Sequence, residues 1–456
     1  MTHPVVAGPL DDAARRSLQK RVLAVVALAQ VLGGAGLAAG VTVGALLARR
    51  MTGSDDLAGL PTALFTLGAA SAALLVGRLT QLRGRRPGLG FGFLAGGVGA
   101  VGVVAGAVVD DVALLFAGLF VDGSGMSTNL QARYAGTDLA RPEERGAAVS
   151  VALVATTLGA VAGPNLVGPL GGLATAVGVP ALAGPFLLAA VAYPAAAAVL
   201  FVLLRPDPYL VARALPPPTV QPQAVRSRGG VVVGAAVMVL TQVTMIAIMT
   251  MTPVHMLAHG HALGTIGLVI SVHIGAMYLP SLVTGRLVDG LGRVPVAAAA
   301  GVTLLLAGVT AALAPAGSVG LLVVGLALLG LGWNLGLISG TALLVDATGP
   351  ADRPRVQGGV DVVIALCGAG GGALSGVVVA GYGFATVALA GGLLAVLLVP
   401  VLLRTCPRPE IVGAWPPTPS TRRASSTPGS SSTSVASSCP AAGATCSPAP
   451  RTRTPT

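Results

Sequence analysis

Charged and aromatic residues are both scarce in this sequence. Asp, Glu, Lys and Arg together make up 9% of its 456 residues and Phe, Trp and Tyr make up 3%, whereas hydrophobic residues reach 54%. The mean hydropathy of +0.85 lies far outside the range of ordinary soluble domains. Apolar runs near or above the roughly 20 residues that cross a bilayer recur along the chain. The composition therefore excludes a soluble globular protein and predicts an all-α membrane protein.

Lysine is almost absent as well, and this absence excludes several classes of enzyme. The only lysine, Lys20, lies outside any glycine-rich loop, so the chain cannot form the GxxxxGK[ST] loop that binds nucleotide phosphates. The GxSxG and HExxH motifs are also missing from the sequence. We therefore expect neither an enzyme nor a bound cofactor, and we exclude ATP as the direct source of energy.

Cysteines are few, and their spacing does not indicate a metal site. Cys367 lies inside an apolar run, whereas Cys406, Cys439 and Cys446 lie in a polar tail, and no CxxC occurs. The sequence predicts neither a disulfide framework nor a zinc site. The net charge of +11 comes from arginines in the gaps between apolar runs. Membrane topology explains these arginines better than nucleic-acid binding does.

The apolar runs number about twelve and form two groups of six, which predicts two pseudo-symmetric six-helix halves. Between the groups, Pro216, Pro217 and Pro218 interrupt any helix. After Arg404 the sequence is rich in Ser, Thr and Pro and poor in large apolar side chains. The predicted organisation is a cytoplasmic N-terminus at 1–21, a first half at 22–204, a cytoplasmic linker at 205–230, a second half at 231–404 and a disordered tail at 405–456.

Arginine placement predicts the orientation of the chain, because most arginines fall in alternate loops. By the positive-inside rule those loops face the cytoplasm, and an even number of spans places both termini there as well. We therefore expect a monomeric, multi-pass protein of the cytoplasmic (inner) membrane whose surroundings are the lipid bilayer. The arginines concerned are Arg83, Arg85, Arg86, Arg141, Arg145, Arg286, Arg293, Arg353 and Arg355.

Two loops of the first half recur in the second half at a constant offset of 208 residues. Such an internal duplication is typical of secondary transporters whose halves rock about a central site. The aligned pairs include Gly77 and Gly285, Gly84 and Gly292, Arg85 and Arg293, Asp138 and Asp346, and Arg145 and Arg353.

The repeated stretches GRLTQLRGRR and GRLVDGLGR resemble the GxLxDxxGR loop signature of the major facilitator superfamily. The resemblance implies a twelve-helix transporter that alternates between inward-open and outward-open states. Its acid, Asp289, can face a helix N-terminus or a cation when one gate is shut, whereas Gln81 replaces the acid in the first copy and predicts a weaker latch. A basic loop that only sets topology is the alternative. The implied gating residues are Gly77, Gly84, Arg85, Gly285, Asp289, Gly292 and Arg293.

Glycines and prolines cluster on the fifth span, at Gly159, Gly163, Pro164, Gly168 and Pro169. The cluster resembles the glycine-proline motif of proton-coupled drug antiporters within the same superfamily. Close helix packing explains the same residues equally well. A proton-coupled efflux antiporter for drugs or metabolites is therefore the alternative function.

Soft metal ligands recur at helical spacing on the seventh and eighth spans. Met245 and Met249 stand four residues apart, as do His273 and Met277, so each pair shares a helix face. If both faces turn to a central cavity, three thioethers and an imidazole surround a soft monovalent cation, for which Cu(I) is the natural candidate. Methionines in membrane helices are often core filler, but a histidine at membrane depth predicts a function.

The paired MxxxM and HxxxM spacing resembles the CcoA-type copper importers of the superfamily. This resemblance implies that the two methionine-containing pairs are copper ligands and that Cu(I) uptake is the function. A second group, His255, His259 and His261, stands at the outer end of the seventh span. It is either a capture site for the incoming metal or a solvated loop.

Two carboxylates, Asp122 and Asp361, lie inside predicted spans. A carboxylate inside the bundle can bind and release a proton, so either one can couple transport to the proton gradient. For Asp361, a capping role near the start of its span is the alternative. The sequence thus predicts a transporter for a small solute or metal ion, and a membrane sensor that uses the polar tail is the third hypothesis.

Overall fold

The computed structural model describes residues 11–52, 60–215, 228–315 and 317–403. The first ten residues, residues 216–227 of the predicted linker and the predicted tail at 405–456 lie outside the described residues. Within the described ranges the chain forms fifteen α-helices. They are α1 (Asp12–Thr52), α2 (Leu60–Arg83), α3 (Arg85–Val109), α4 (Val112–Ala135), α5 (Arg145–Ala176), α6 (Gly184–Leu203), α7 (Pro208–Ala214), α8 (Arg228–Ala258), α9 (Leu263–Tyr278), α10 (Ser281–Leu291), α11 (Arg293–Leu313), α12 (Val319–Asp346), α13 (Arg353–Tyr382), α14 (Phe384–Val396) and α15 (Leu398–Leu403).

The described helices account for twelve membrane crossings. Nine segments among them are long and apolar enough to cross a membrane, and α9 and α10 together make one of these, broken at Leu279 and Pro280. The remaining crossings are α4, α5 and the pair α14 and α15. Six crossings precede the short helix α7 and six follow it. The prediction of an all-α membrane protein with two six-helix halves is therefore confirmed.

The same one-residue turn occurs at matching places in the two halves. Gly84 separates α2 from α3, and Gly292 separates α10 from α11, each with a φ angle of 100°. Glycine adopts this backbone conformation without the strain that a Cβ atom would introduce. The local backbone therefore explains why glycine occupies both positions of the repeated loop.

Each half has its own hydrophobic core. Phe93 and Phe186 are fully buried in the first half, and Leu304 and Leu326 are fully buried in the second. The packing of α3 on α4 in the first half is repeated by the packing of α11 on α12 in the second. Since lipid is as apolar as these side chains, close packing rather than exclusion of water stabilises these contacts.

The first helix begins earlier than the predicted boundary between residues 21 and 22. It starts at Asp12, because polar residues of its first turns are bonded to the loop that follows α4. Gln19 Nε2 donates to the carbonyl oxygen of Gly136 at 2.6 Å, and Arg15 Nε donates to that of Leu139 at 3.0 Å. The N-terminal segment is therefore partly a continuation of the first span.

The predicted linker contains a short helix, α7, and the first turn of α8. Asp207 caps α7 by accepting a hydrogen bond from the Tyr209 N–H at 3.0 Å, and Pro208 occupies a first-turn position where no N–H is required. Asp207 also accepts from the Arg86 N–H at 2.8 Å, and the Tyr209 hydroxyl donates to the Ala351 carbonyl at 3.0 Å. This part of the linker is thus ordered against both halves.

Candidate functional site

A cavity of about 40 Å³ lies between the two halves. Helices α2 and α4 line it on one side, and α8, α12 and α13 line it on the other. Its volume admits a few water molecules at most. Its polar and aromatic lining comes from Ser127, Arg133, Gln242, Trp333 and Asp361.

An ion pair joins the halves across this cavity. Arg133 Nη2 of α4 lies 2.9 Å from Asp361 Oδ1 of α13, and the two side chains are 1% and 7% exposed. A buried ion pair needs further hydrogen bonds to offset the loss of water. Arg133 Nη1 donates to the carbonyl oxygen of Leu130, and Arg133 Nε donates to Thr341 Oγ1 at 3.3 Å.

Tyr134 connects the two charges of this pair. Arg133 Nη2 donates to the Tyr134 hydroxyl oxygen at 2.8 Å, and that hydroxyl donates to Asp361 Oδ1 at 3.2 Å. The guanidinium carbon lies 4.3 Å from the centre of the Tyr134 ring, a cation–π contact. Asp361 Oδ2 has no hydrogen-bond partner among the described residues. The site therefore combines a cation whose three nitrogen atoms are all hydrogen-bonded with a carboxylate that has one free acceptor.

The opposite wall of the cavity presents an indole ring and an amide. Trp333 Nε1 of α12 donates to Gln242 Oε1 of α8 at 2.7 Å. The Trp333 ring meets the Tyr278 ring edge-on, with 5.6 Å between ring centres. These contacts hold the Trp333 side chain in one orientation. The cavity lining thus combines an aromatic surface of the second half with an ion pair that crosses between the halves.

At one end of the bundle the halves are in direct contact. We call this end the arginine face, after Arg85, Arg145, Arg293 and Arg353. Here Asp289 of α10 accepts hydrogen bonds from the first N–H groups of α5, those of Gly146 and Ala147, both at 2.8 Å. A carboxylate at a helix N-terminus is stabilised by unpaired N–H groups and by the helix dipole. The contact links the second half to the first.

Asp346 forms a second link beside Asp289. Its Oδ1 accepts from Arg145 of the first half, and its Oδ2 accepts from Arg293 Nε of its own half at 2.9 Å. Arg293 Nη2 also donates to the carbonyl oxygen of Pro142 in the first half. One acid and two arginines thus bridge the halves.

The first copy of the repeated loop makes different contacts. Arg85 pairs with Asp138 of its own half at 2.8 Å, and its Nη2 donates to Gln357 of the second half at 2.7 Å. Gln81, at the position of the missing acid, donates to the Ala351 carbonyl at 3.5 Å. Gly77 lies against Pro354, where an added Cβ would lie 2.8 Å from the carbonyl oxygen.

The four residues predicted as copper ligands lie outside the lining of the cavity. Met245 and Met277 are buried in the core of the second half, and Met249 packs against that core. His273 is fully buried, with Nδ1 2.8 Å from the Leu326 carbonyl oxygen. His273 Nε2 has no hydrogen-bond partner among the described residues. The copper assignment stays a prediction.

The outer histidines are partly brought together. The His255 and His259 rings lie 4.3 Å apart, and His255 stacks on Phe384 at 4.4 Å. Among the described residues, no three His, Cys, Asp or Glu side chains form a group that could hold a metal ion. Capture of a metal by His255, His259 and His261 likewise stays a prediction.

Gly159 of the fifth-span cluster fits the packing interpretation. A Cβ atom at Gly159 would overlap the backbone of α1 at Gly34 and Ala35. Gly168, in contrast, has nothing within 4 Å of such an atom. The side chains of residues 160–165 lie outside the description.

Sequence reasoning missed Arg133, Tyr134 and Trp333. The apolar run of the fourth span ends at Ala132, so Arg133 reads as a loop arginine, whereas α4 continues to Ala135. One signal was present: Trp333 is the only tryptophan that lies within an apolar run. The central site therefore comes from residues at or beyond the predicted helix ends as well as from the spans.

Comparison with known proteins gives four consistent findings. The sequence model of the Major Facilitator Superfamily matches residues 23–277 and 233–438. YdeG, an uncharacterized MFS-type transporter of Bacillus subtilis strain 168, is 58% identical over 398 residues, which cover 85% of this chain and 93% of YdeG. The riboflavin transporter RfnT of Brucella anthropi is 30% identical over 400 residues, with 85% and 97% covered. The solved proton:xylose symporter XylE has a TM-score of 0.66 at 16% identity, with 86% of this chain and 97% of XylE covered.

Proposed function

Because the chain belongs to the major facilitator superfamily and is a multi-pass membrane transporter, we propose that it carries a small planar organic solute through the cavity between its halves. In the proposed cycle the halves rock about this cavity, which opens to one side of the membrane at a time. We place the arginine face in the cytoplasm by the positive-inside rule. In the described state the arginine face is closed. From this state the cavity then opens to the outside of the membrane.

The observation that carries this proposal is the combination of an indole, an amide and an ion pair in one cavity. A flat heteroaromatic ring stacks on an indole such as Trp333. Carbonyl and ring nitrogen atoms of the solute exchange hydrogen bonds with Gln242 and Arg133. A mostly apolar site with a few fixed polar groups orients a small molecule in this way.

The Arg133–Asp361 pair can break when a solute binds. A solute oxygen that accepts from Arg133 Nη2 competes with Asp361 for the same donor, which is 2.9 Å away in the closed cavity. A ligand shifts a conformational equilibrium only through such a difference in contacts between states. Solute binding therefore weakens the link between α4 and α13 and favours separation of the halves.

Riboflavin is the first solute to test. RfnT, 30% identical to this chain, is a riboflavin transporter, and riboflavin carries a flat heteroaromatic ring with carbonyl groups. That chemistry matches Trp333, Gln242 and Arg133. Since the cavity holds only a few waters, entry of riboflavin requires the outward opening proposed above.

Fluorescence of riboflavin taken up by proteoliposomes tests this proposal. We expect Trp333→Ala to reduce uptake by about tenfold, because one stacking contact is lost. Trp415→Ala, which changes the tryptophan of the tail, is the matched control and should leave uptake unchanged. Normal uptake by Trp333→Ala would contradict the site, and no uptake by the unchanged protein would exclude riboflavin as the solute.

Cu(I) uptake is the second candidate, and the unpartnered Nε2 of His273 at membrane depth favours it. Since none of the four predicted ligands lines the cavity, copper would require a further site within the second half. Cellular copper content should fall after His273→Ala and Met249→Ala if copper is carried. Unchanged copper would leave the organic solute as the better candidate.

Drug or metabolite efflux and membrane sensing remain to be separated by cheap measurements. A deletion strain with altered drug tolerance and unchanged copper content would favour efflux. A sensor should tolerate changes at His273 and Met249 but fail when the tail after Arg404 is removed. A transporter should keep its uptake without that tail.

A further inference from the structure

We infer that Asp122 is a proton-binding site inside the first half, separate from the solute cavity. The inference rests on the proposed transport function, for which it supplies the coupling ion. The Asp122 carboxyl takes a proton from water on one side of the membrane and returns it to water on the other side as the halves rock.

Asp122 and Tyr193 are buried polar side chains without partners. Asp122 is 1% exposed near the middle of α4, and Tyr193 of α6 is 0% exposed. Neither carboxylate oxygen of Asp122 has a hydrogen-bond partner among the described residues, and the Tyr193 hydroxyl has none either. Buried polar atoms in folded proteins are nearly always bonded. An unpartnered carboxyl group and an unpartnered phenol in one half call for a functional explanation.

Both side chains belong to the seam between α3, α4 and α6. Gly99 of α3 lies against Asp122, where an added Cβ would be 2.6 Å from the Asp122 Cα atom. A Cβ at Gly96 would be 2.8 Å from Gly125 Cα and 3.1 Å from Tyr193 Cδ2. Gly125 follows Asp122 by about one turn and shares its helix face. The carboxyl and the phenol therefore line the same seam.

The helices around Asp122 offer it no charged partner. Tyr193 is the only titratable residue in the membrane parts of the five neighbouring helices, residues 22–48, 60–77, 88–109, 146–176 and 184–203. On α4 itself, Asp111 stands at the start of the helix. Arg133 stands about three turns beyond Asp122 and pairs with Asp361.

Burial without a partner fixes the protonation state of Asp122. An ionised carboxylate at this depth, with no cation and no donor, is far less stable than the neutral acid. Asp122 therefore holds a proton in the described state. Asp361 is the opposite case, because Arg133 and Tyr134 stabilise its negative charge. Asp361 joins the halves, whereas Asp122 carries the proton.

The α3–α4 seam allows water to reach Asp122 when the halves move. Backbones of the two helices meet at glycines, with Gly118 of α4 against Gly102 and Val103 of α3. Small residues at this contact allow one helix to shift against the other, and we expect such a shift to admit water. Water solvates the carboxylate and thereby permits release of the proton.

Infrared spectroscopy of the purified protein tests this inference without any substrate. At neutral pH, the difference spectrum between the unchanged protein and Asp122→Asn should show loss of a protonated-carboxyl C=O band. The matched control is Asp361→Asn, which should show loss of carboxylate bands instead. Loss of carboxylate bands in Asp122→Asn would overturn the inference.

Two further measurements extend this test. The first applies if Asp122→Asn folds poorly, and the second tests proton coupling. Tyr193→Phe, which keeps Asp122, should shift the carboxyl C=O band, and an unshifted band would contradict the shared seam. With riboflavin as the probe, Asp122→Asn should lose accumulation driven by a pH gradient but keep exchange across the membrane. Accumulation that persists in Asp122→Asn would overturn proton coupling. Absence of riboflavin transport by the unchanged protein would remove the proposed solute, while the infrared result still decides Asp122.

Discussion

The two copies of the repeated loop at the arginine face make different contacts with the opposite half. In the second copy, Asp289 accepts two N–H groups of α5 and so crosses to the other half. In the first copy, Gln81 makes one long hydrogen bond to Ala351. We call the hydrogen bonds that join the halves at the arginine face the latch. The latch is therefore formed mainly by the second copy.

The difference extends to the helix that each loop faces. Pro354 of α13 stands at the position equivalent to Gly146 of α5, and it has no N–H to offer. The first copy thus lacks both the acid and one of the donors that an acid would bind. Once the acid is lost, the N–H donor has no acceptor, and once the donor is lost, the acid has no partner. This dependence explains why the two departures from symmetry occur together.

The arginine pairs of the two copies also differ in exposure. Arg85 and Asp138 are both 1% exposed, whereas Arg293 and Asp346 are 18% and 33% exposed. A buried pair that loses one partner leaves an uncompensated charge, but an exposed pair is compensated by water. The Arg85–Asp138 pair therefore stabilises the first half, whereas Asp346 with Arg145 and Arg293 stabilises the contact between halves.

The largest expected effect tests this division. Asp138→Asn should lower the free energy of unfolding by about 3–5 kcal/mol, because Arg85 remains buried without its counter-charge. Asp346→Asn should cost less, about 1–3 kcal/mol, because water reaches Arg293 although Arg145 stays buried. Thermal unfolding of the two purified variants in detergent measures both. Equal losses would contradict the comparison.

The next effect concerns the latch itself. Asp289→Asn should destabilise the latched state by about 1.5–3 kcal/mol, which is about 10- to 100-fold in its population, because a charged acceptor of two N–H groups is lost. Gln81→Ala, the matched change in the first copy, should shift it by less than about twofold. Labelling of Ser127→Cys from the arginine face by an impermeant maleimide, in a chain without its native cysteines, reports the opening. Similar labelling of both variants would contradict the asymmetry.

A pair of glycine substitutions tests the packing that the two copies share. Gly77→Ala and Gly285→Ala should each destabilise the latched state by about 1–3 kcal/mol. An added Cβ would lie 2.8 Å from the Pro354 carbonyl oxygen in the first and 2.6 Å from that of Gly146 in the second. Gly290→Ala is the control, since nothing lies within 4 Å of its added Cβ. The same maleimide assay should show faster labelling for the first two variants and no change for the control.

The smallest expected effect comes from substitutions that make the first copy resemble the second. Gln81→Asp with Pro354→Ala supplies both the acid and the missing N–H, and should strengthen the latch by about 0.5–1 kcal/mol. Labelling of Ser127→Cys from the arginine face should slow accordingly. Gln81→Asp alone should give a smaller effect. A double variant no slower than either single change would show that the two departures are unrelated.

Local features of this fold could be predicted from the sequence. The repeat at a constant offset placed Gly84 and Gly292 at equivalent turns, and the positive φ angle of both explains their identity. The twelve crossings followed from apolar runs, because lipid demands helices whose backbone groups are bonded internally. The acid at Asp289 was recognised from its motif.

The central site could be predicted only in part, because it depends on pairings across the chain. Arg133 finds its partner 228 residues away, and an arginine just beyond an apolar run is equally typical of a loop. Helical spacing shows that His273 and Met277 share a face, but it does not show toward which neighbour that face turns. His273 turns to Leu326 of α12.

Helix α7 has seven residues and follows the last span of the first half, yet its Tyr209 reaches Ala351 of the second. A polypeptide severed between residues 215 and 228 would keep the hydroxyl on one fragment and its acceptor on the other. Fragments expressed separately would therefore retain a specific hydrogen bond between them, and we expect them to reassemble. A protease site inserted there would thus create a split transporter in which this phenol is one of the contacts that join the fragments.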